Sequence, residues 1–247
     1  MMLDRTKKRG ASAAIERADA LRLPEWKSTD HDLIAEVPCA MVYDGSSVAV
    51  MMASPLDIED FAVGFSLTEG YINNKNQIAE MEVVHHDEGI EARMWLSENR
   101  SEAFKARRRS MAGPVGCGMC GLETIEAAMR EPGRVEAAPS QFSIDELIAA
   151  TEKLRGHQPL HDQTRSVHGA GFILHGKGIV AAREDVGRHN ALDKLIGAIV
   201  RKDFEAPDGA IVMTSRVSVE LVQKAAKIGC PLLIAVSAPT TLALRTA

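Results

Sequence analysis

The chain has 247 residues, a formal net charge of −5 and an apolar fraction of 45%. This length predicts one large domain or two small ones with an ample core. The negative charge argues against a nucleic-acid binder, and no apolar run approaches the roughly 18 residues of a membrane span. We therefore expect a cytoplasmic globular protein that binds neither nucleic acid nor membrane.

Residues 1–30 are predicted to form a flexible N-terminal tail. The stretch is charged, carries the basic cluster Lys7-Lys8-Arg9, and lacks the hydrophobic segment of a secretory signal. Chain ends of this composition are usually poorly ordered. The folded part of the protein is therefore expected to begin near residue 31.

Residues 31–110 are predicted to form a smaller N-terminal α+β part. An apolar run over residues 33–52 turns at Asp44-Gly45, which is a hairpin signal. Ser54 and the proline after it offer an N-cap and a first-turn proline for a helix that ends near Leu67. A second hairpin is predicted from strands over residues 78–85 and 90–96.

Residues 111–247 are predicted to form an α/β part in which strands and helices alternate. The predicted strands cover residues 171–174, 179–182, 210–214 and 232–236. The predicted helices cover residues 143–154, where Ser143 and Glu146 form a capping box, 190–201 and 218–228. This pattern indicates a layered, largely buried sheet with flanking helices.

Two of the four cysteines lie in the sequence Gly-Cys-Gly-Met-Cys-Gly at residues 116–121, just before a predicted helix. A helix N-terminus stabilises an anion, so Cys117 and Cys120 are expected to be reactive thiols. Arg107, Arg108 and Arg109 precede them and are placed to lower the thiol pKa values or to guide an anion. The pair therefore suits sulfur chemistry or metal binding.

Several interpretations of this cysteine pair compete. The glycines match a dinucleotide-binding pattern, but that pattern requires a preceding strand, and no strand is predicted there. A thioredoxin-like thiol-exchange site is disfavoured because it needs a strand followed by a helix. A zinc site would take His157 and His161 as its other two ligands, yet these histidines lie much farther along the chain than in a zinc finger. The alternative that stays open is a metal-binding module that uses Cys117 and Cys120 across a dimer.

The other two cysteines and the charged motif over residues 183–194 complete the candidate residues. Cys39 and Cys230 stand beside prolines in apolar runs and are predicted to be buried structural thiols. The motif over residues 183–194 follows a predicted strand and opens a helix, where Asp185 can cap and Arg188 with His189 can bind a phosphate. A capped helix start with solvated charges is the simpler interpretation of that motif.

Three motifs together resemble the FdhD family of formate dehydrogenase accessory sulfurtransferases. They are Leu-Thr-Glu-Gly at residues 67–70, Cys-Gly-Met-Cys-Gly at 117–121 and Glu-Asp-Val-Gly-Arg-His-Asn-Ala-Leu-Asp-Lys at 184–194. The resemblance covers about residues 34–244 and implies a cytidine-deaminase-like α/β fold. A deaminase-like hydrolase, which such a fold invites, is set aside because no proline directly precedes Cys117.

The resemblance implies a sulfur carrier that acts as a homodimer. It implies that a cysteine desulfurase supplies sulfane sulfur and that Cys117, assisted by Cys120, carries it as a persulfide. The acceptor implied is the bis-guanine-dinucleotide molybdenum cofactor, bound before its insertion into formate dehydrogenase. No permanently bound metal is expected.

The cofactor-binding residues expected from the same resemblance lie around the second motif. They are His168, Asp185, Arg188, His189 and Asn190. Two departures from the family pattern stand out. Arg165 and Ser166 occupy positions where relatives usually have two glycines. The sequence also stops at residue 247, so we expect either that the chain is truncated or that its cofactor binding is weakened or shared with another subunit.

Overall fold

A computed structural model describes residues 14–97, 100, 132–136 and 142–247 of the chain. Within these ranges the strands form one two-stranded ribbon and two four-stranded sheets. The strands are β1 (Ile15–Arg22), β2 (Lys27–Ile34), β3 (Val37–Tyr43), β4 (Ser46–Ala53), β5 (Ile78–His85), β6 (Ile90–Leu96), β7 (His168–Leu174), β8 (Gly178–Asp185), β9 (Gly209–Met213) and β10 (Leu232–Ala235). The helices are α1 (Ile58–Thr68), α2 (Ile144–Arg155), α3 (Pro159–Thr164), α4 (Arg188–Arg201), α5 (Val219–Lys227) and α6 (Thr241–Thr246).

The first four-stranded sheet has the order β4-β3-β6-β5 and contains both predicted hairpins. Asp44 and Gly45 join β3 to β4 with φ angles of 47° and 76°. Two positive φ angles are typical of the tight hairpin turn that the Asp-Gly pair predicts. The second hairpin joins β5 to β6, so both hairpin predictions are confirmed.

The expected N-terminal tail over residues 1–30 is wrong from residue 14 onward. Strands β1 and β2 pair in an antiparallel ribbon from Ile15↔Ile34 to Arg22↔Lys27. The base of the ribbon packs with Leu160 and Val167, which come from a distant part of the sequence. Because these contacts are long-range, the charged composition of the ribbon strands did not reveal them.

The second four-stranded sheet has the order β10-β9-β7-β8, with β10 parallel to β9 and the other pairs antiparallel. The predicted strands of the C-terminal part are therefore confirmed. Helix α2 covers one face through Ala150 and Leu154, which pack with Ile173 and Val212. The mixed α/β architecture agrees with the predicted class, while the cytidine-deaminase-like arrangement stays a prediction.

Helices α1 and α4 cross in direct backbone contact between the two sheets. A Cβ atom at Gly64 would lie 1.8 Å from the carbonyl oxygen of Asp193, and one at Gly197 would lie 1.8 Å from that of Asp60. Both positions therefore require glycine. Arg183 on β8 donates hydrogen bonds to Asp60 Oδ2 at 2.8 Å from Nε and 2.5 Å from Nη2, which ties β8 to the same crossing.

Helix α1 begins later than the sequence pattern predicts. Its first residue is Ile58, and the N-cap is Asp57 with a left-handed φ of 54°, so Ser54 does not cap the helix. Ser54 is instead buried in a polar cluster with residues of the second sheet. In the described part of the chain, no helix has the length and apolar composition needed to cross a bilayer.

Candidate functional site

One edge of the second sheet brings together the five predicted cofactor-binding residues. His168 opens β7 and is the cross-strand partner of Asp185, the last residue of β8. The chain then turns into α4, whose first three residues are Arg188, His189 and Asn190. This α4 edge, as we call it, therefore unites residues that are up to 22 positions apart in the sequence, although their contact with a cofactor stays a prediction.

Asp185 lies at the centre of a buried polar network. Its side chain and that of Lys194 are both 0% exposed, with 2.7 Å between Asp185 Oδ2 and Lys194 Nζ. Oδ2 also accepts hydrogen bonds from the backbone N–H and the hydroxyl of Ser54, each at 3.0 Å. Oδ1 accepts from Gly187 N–H and Asn190 Nδ2, each at 2.9 Å. The carboxylate thus fixes the turn that leads into α4.

Ser54 and Lys194 are the members of this network that the sequence interpretation missed. Lys194 Nζ donates to the carbonyl and the hydroxyl oxygens of Ser54, both at 2.9 Å. One signal was present, because Lys194 falls in the apolar stripe of α4 between Leu192 and Leu195. A lysine in such a stripe is almost never fully buried without a partner. Ser54 offered no comparable signal, since its partners lie 131 and 140 positions away.

Arg188 is the cationic group of the α4 edge. Its Nε atom is buried and has no hydrogen-bond partner among the described residues. The N-cap of α4, Gly187, contributes no side-chain hydrogen bond. The N-terminal N–H groups of a helix attract anions, and a guanidinium beside them strengthens that attraction. The Arg188 guanidinium and the first N–H groups of α4 are therefore suited to hold a phosphate group together.

The two histidines of the α4 edge are neutral near pH 7. Burial, with the positive charge of Arg188 added, lowers the pKa of His189 to about 4. Burial and Arg188 also lower the pKa of His168 below its ordinary value. Both imidazoles are partly exposed, so they remain available for hydrogen bonding. The positive charge at this edge therefore comes from Arg188 and not from the histidines.

A second buried ionic cluster explains the Leu-Thr-Glu-Gly motif at the end of α1. Lys224 Nζ on α5 lies 2.9 Å from both carboxylate oxygens of Asp193 on α4. The same ammonium donates to Thr68 Oγ1 at 2.9 Å and to Glu69 Oε1 at 3.1 Å. Thr68 also donates to Asp193 Oδ1 at 2.8 Å. The cluster thus holds α1, α4 and α5 together behind the α4 edge.

The described cysteines are unreactive. Cys39 and Cys230 are buried, which confirms their prediction as structural thiols. Burial raises the pKa of each thiol to about 11. A thiol that stays protonated at neutral pH is a poor nucleophile and a poor metal ligand.

The predicted reactive loop lies outside the described residues. It includes Cys117 and Cys120, and the three arginines at positions 107–109 fall outside them as well. The described ranges contain no group of three or more His, Cys, Asp or Glu residues placed to hold a metal ion. His161, one of the two histidines considered for zinc, instead has its Nδ1 3.3 Å from the carbonyl oxygen of Val167.

Comparison with known proteins gives consistent matches over most of the chain. The model of the FdhD/NarQ family matches residues 34–247. A protein of Agrobacterium fabrum named sulfur carrier protein FdhD is 52% identical over 212 residues, covering 86% of this chain and 78% of the relative. A protein of the same name from Brucella abortus is 47% identical over 228 residues, covering 92% and 85%.

A similar fold is found among solved structures. One such structure is described as a formate dehydrogenase accessory protein from Desulfotalea psychrophila and superimposes with a TM-score of 0.69. The match covers 94% of this chain and 87% of that one, at 24% sequence identity. At this identity the likeness concerns the fold.

Proposed function

The chain belongs to the FdhD/NarQ family, and from this premise we propose that it is a sulfur carrier for the maturation of formate dehydrogenase. In this proposal a cysteine desulfurase supplies sulfane sulfur, which the chain holds as a cysteine persulfide. The sulfur then passes to the bis-guanine-dinucleotide molybdenum cofactor, which is the substrate of the transfer. The proposed setting is the cytoplasm, and the proposed active form is a homodimer.

The observation that carries this proposal is the burial of two of the four cysteines. Cys39 and Cys230 have pKa values raised to about 11 and lie in the core, so neither supplies a thiolate. Sulfur transfer requires a thiolate that a partner protein can reach. Only Cys117 and Cys120 remain, and glycines stand next to both of them in the sequence. We assign the persulfide to Cys117 and an assisting role to Cys120.

The loading step is a thiolate exchange. The Cys117 thiolate attacks the outer sulfur of the persulfide on the desulfurase, and a new S–S bond forms on Cys117. The S–S bond of the donor breaks, and the donor cysteine leaves as a thiolate. The proton of the outer sulfur stays with the transferred atom, so no oxidant or reductant is consumed. For delivery, the thiolate of Cys120 attacks the inner sulfur of the Cys117 persulfide, so that the outer sulfur leaves as hydrosulfide for the cofactor and a Cys117–Cys120 disulfide forms, which supplies the two electrons.

The α4 edge is suited to the nucleotide part of this cofactor. A guanine dinucleotide carries phosphates, and Arg188 with the first N–H groups of α4 supplies matching donors. Arg188 is half-buried and its Nε has no hydrogen-bond partner among the described residues, so the guanidinium retains donor capacity toward a phosphate. Asp185 positions the start of α4 through its bond to Gly187 N–H, at 2.9 Å. We propose that this edge holds the phosphates.

Intact-mass measurement tests the carrier role. After incubation with a cysteine desulfurase and cysteine, the wild-type chain is expected to gain about 32 Da, one sulfur atom. Dithiothreitol should remove this gain, because it reduces a persulfide but not a sulfinic acid of about the same added mass. Cys117→Ala should abolish loading, whereas Cys39→Ala, at a buried thiol, should retain it. Full loading of Cys117→Ala would move the role to Cys120, and loading of the double variant would refute the proposal.

Calorimetry with GDP tests the phosphate site independently. Arg188→Ala should weaken binding by roughly ten- to a hundredfold, because one charge-assisted hydrogen bond contributes about 1.5–3 kcal/mol. Arg22→Ala is the matched control, since Arg22 is exposed on the ribbon. Equal affinities of the Arg188 variant and the wild type would exclude Arg188 from the phosphate site.

A further inference from the structure

Helix α5 brings a second set of polar groups to the α4 edge. Its N-cap, Ser218, has its hydroxyl 3.3 Å from Nε2 of His189. A carboxylate oxygen of Glu220, in the first turn of α5, lies 3.7 Å from the same ring nitrogen. His189 belongs to the charged motif, whereas Ser218 and Glu220 lie about 30 positions farther along the chain, so the motif alone did not identify them.

The carboxylate of Glu220 is ionised and only partly used. Partial burial alone would raise its pKa, but the Ser218 hydroxyl and the N–H of Glu220 outweigh burial and lower the pKa below its usual value. The distance of 3.7 Å to His189 exceeds that of a hydrogen bond, and the Glu220 side chain is 40% exposed. His189 is neutral, so it does not neutralise the carboxylate. Glu220 therefore retains acceptor capacity toward a ligand.

The α4 edge thus has a cationic end and an anionic end. Arg188 and the α4 N-terminus form the cationic end, while Glu220 forms the anionic end beside the neutral ring of His189. A phosphate next to Glu220 would be repelled, so Glu220 is not suited to the phosphate part of a nucleotide. A nucleotide held at Arg188 by its phosphates carries no cation, so within such a ligand the counterpart of Glu220 is a neutral group that presents hydrogen-bond donors.

We propose that Glu220 recognises the guanine base of the ligand. This inference rests on the phosphate site proposed above and adds base specificity to it. Guanine presents two adjacent donors, N1–H and the N2 amine, and an ionised carboxylate accepts two hydrogen bonds side by side. Adenine has an acceptor at N1, which the carboxylate repels, and hypoxanthine lacks the N2 amine.

Calorimetry with GDP, IDP, ADP and inorganic pyrophosphate tests this assignment. The wild-type chain should bind GDP roughly ten- to a hundredfold more tightly than IDP, because IDP leaves one charge-assisted hydrogen bond unmade. Glu220→Gln should weaken GDP binding by a similar factor and reduce the preference for GDP over IDP to less than about threefold. Pyrophosphate affinity should not fall in Glu220→Gln, since pyrophosphate meets only the cationic end and the variant removes a nearby negative charge.

Two controls separate recognition from structure. Glu205→Gln changes an exposed glutamate between α4 and β9 and should leave every affinity unchanged. Glu220→Asp keeps the charge on a shorter side chain and should retain part of the GDP preference, whereas Glu220→Ala should lose it. If a Glu220 variant has a lowered melting temperature, the ratio of GDP to IDP affinity measured at low temperature still reports base recognition. A smaller folded fraction lowers the apparent affinities for both ligands by the same factor.

The outcomes distinguish this proposal from the phosphate site. If Glu220→Gln keeps the wild-type GDP to IDP ratio while pyrophosphate still binds, Glu220 does not contact the base and the phosphate site survives. If the wild-type chain binds neither GDP nor pyrophosphate, the phosphate site and the role of Glu220 are both refuted. Equal affinity of the wild-type chain for GDP and ADP would also overturn the assignment.

Discussion

Replacing Asp185 by Asn should destabilise the protein strongly, because it leaves a buried lysine without its counter-charge. Lys194 is 0% exposed and lies 2.7 Å from the carboxylate of Asp185. In Asp185→Asn its ammonium keeps the two oxygens of Ser54, each at 2.9 Å, and the face of the Phe61 ring, but loses the negative charge beside it. Breaking a buried ion pair on one side typically costs about 3–5 kcal/mol. Domains are stable by only about 5–15 kcal/mol, so this loss is a large part of the total.

Thermal and urea unfolding followed by circular dichroism measure the effect. For a chain of this size about 1 kcal/mol shifts the melting temperature by roughly 2–4 °C, so we expect a decrease of roughly 6–20 °C. Lys194→Met should cost a comparable amount, since it leaves the carboxylate of Asp185 buried without a cation. The double variant should lose less than the sum of the two, because it contains no unpaired buried charge.

The control is Asp87→Asn, which changes an exposed aspartate in the turn between β5 and β6 and should shift stability by less than about 0.5 kcal/mol. The reasoning is refuted if Asp185→Asn stays within about 1 kcal/mol of the wild type. Additive losses in the double variant would likewise show that Asp185 and Lys194 act independently.

Three further predictions concern packing, protonation and thiol reactivity. Gly64→Ala should lower the free energy of unfolding, measured in urea, by at least about 1–3 kcal/mol, because the new Cβ would lie 1.8 Å from a backbone oxygen. Gly156→Ala is the control and should be nearly neutral, because the nearest atom to its Cβ would be a backbone oxygen 3.5 Å away. The NMR signals of the His189 ring should not shift between pH 8 and about 5.5, because burial lowers its native pKa to about 4, and titration near pH 6.5 would contradict that burial. Because the native pKa lies below the ordinary 6.5, the contribution of His189 to stability is complete above pH 6.5 and is lost as the pH falls toward 4. Cys39 and Cys230 should resist iodoacetamide in the native protein at pH 8 and react after unfolding in urea, and rapid native labelling of either would contradict their raised pKa values.

Local patterns predicted most of the regular elements. The hairpin at Asp44-Gly45 depends on four consecutive residues, and the strands and helices of the C-terminal part depend on apolar spacing within short windows. Ser54 was misassigned for the opposite reason. Its neighbours suggest an N-cap, but its hydrogen-bond partners Asp185 and Lys194 come from the other end of the chain. A window of neighbouring residues contains no information about such partners.

The candidate site divides in the same way. The charged motif identified the backbone turn and the cation Arg188, since both depend on residues that are adjacent in sequence. It also suggested that His189 and Arg188 act together on a phosphate. The structure leaves His189 within the site but makes it neutral, because burial beside a guanidinium disfavours a second positive charge. Protonation depends on the surrounding solvent and charges, which the sequence does not specify.

The amino-acid sequence by itself determined the family, most of the strand and helix pattern, and the pair of cysteines that sulfur chemistry requires. These properties depend on the identity and spacing of neighbouring residues. The tertiary structure decided which polar groups meet: it buried Lys194 against Asp185, ordered the ribbon of β1 and β2, and placed Ser218 and Glu220 beside His189. Such encounters depend on how distant segments pack, because burial raises the energetic cost of every charge and hydrogen bond that lacks a partner.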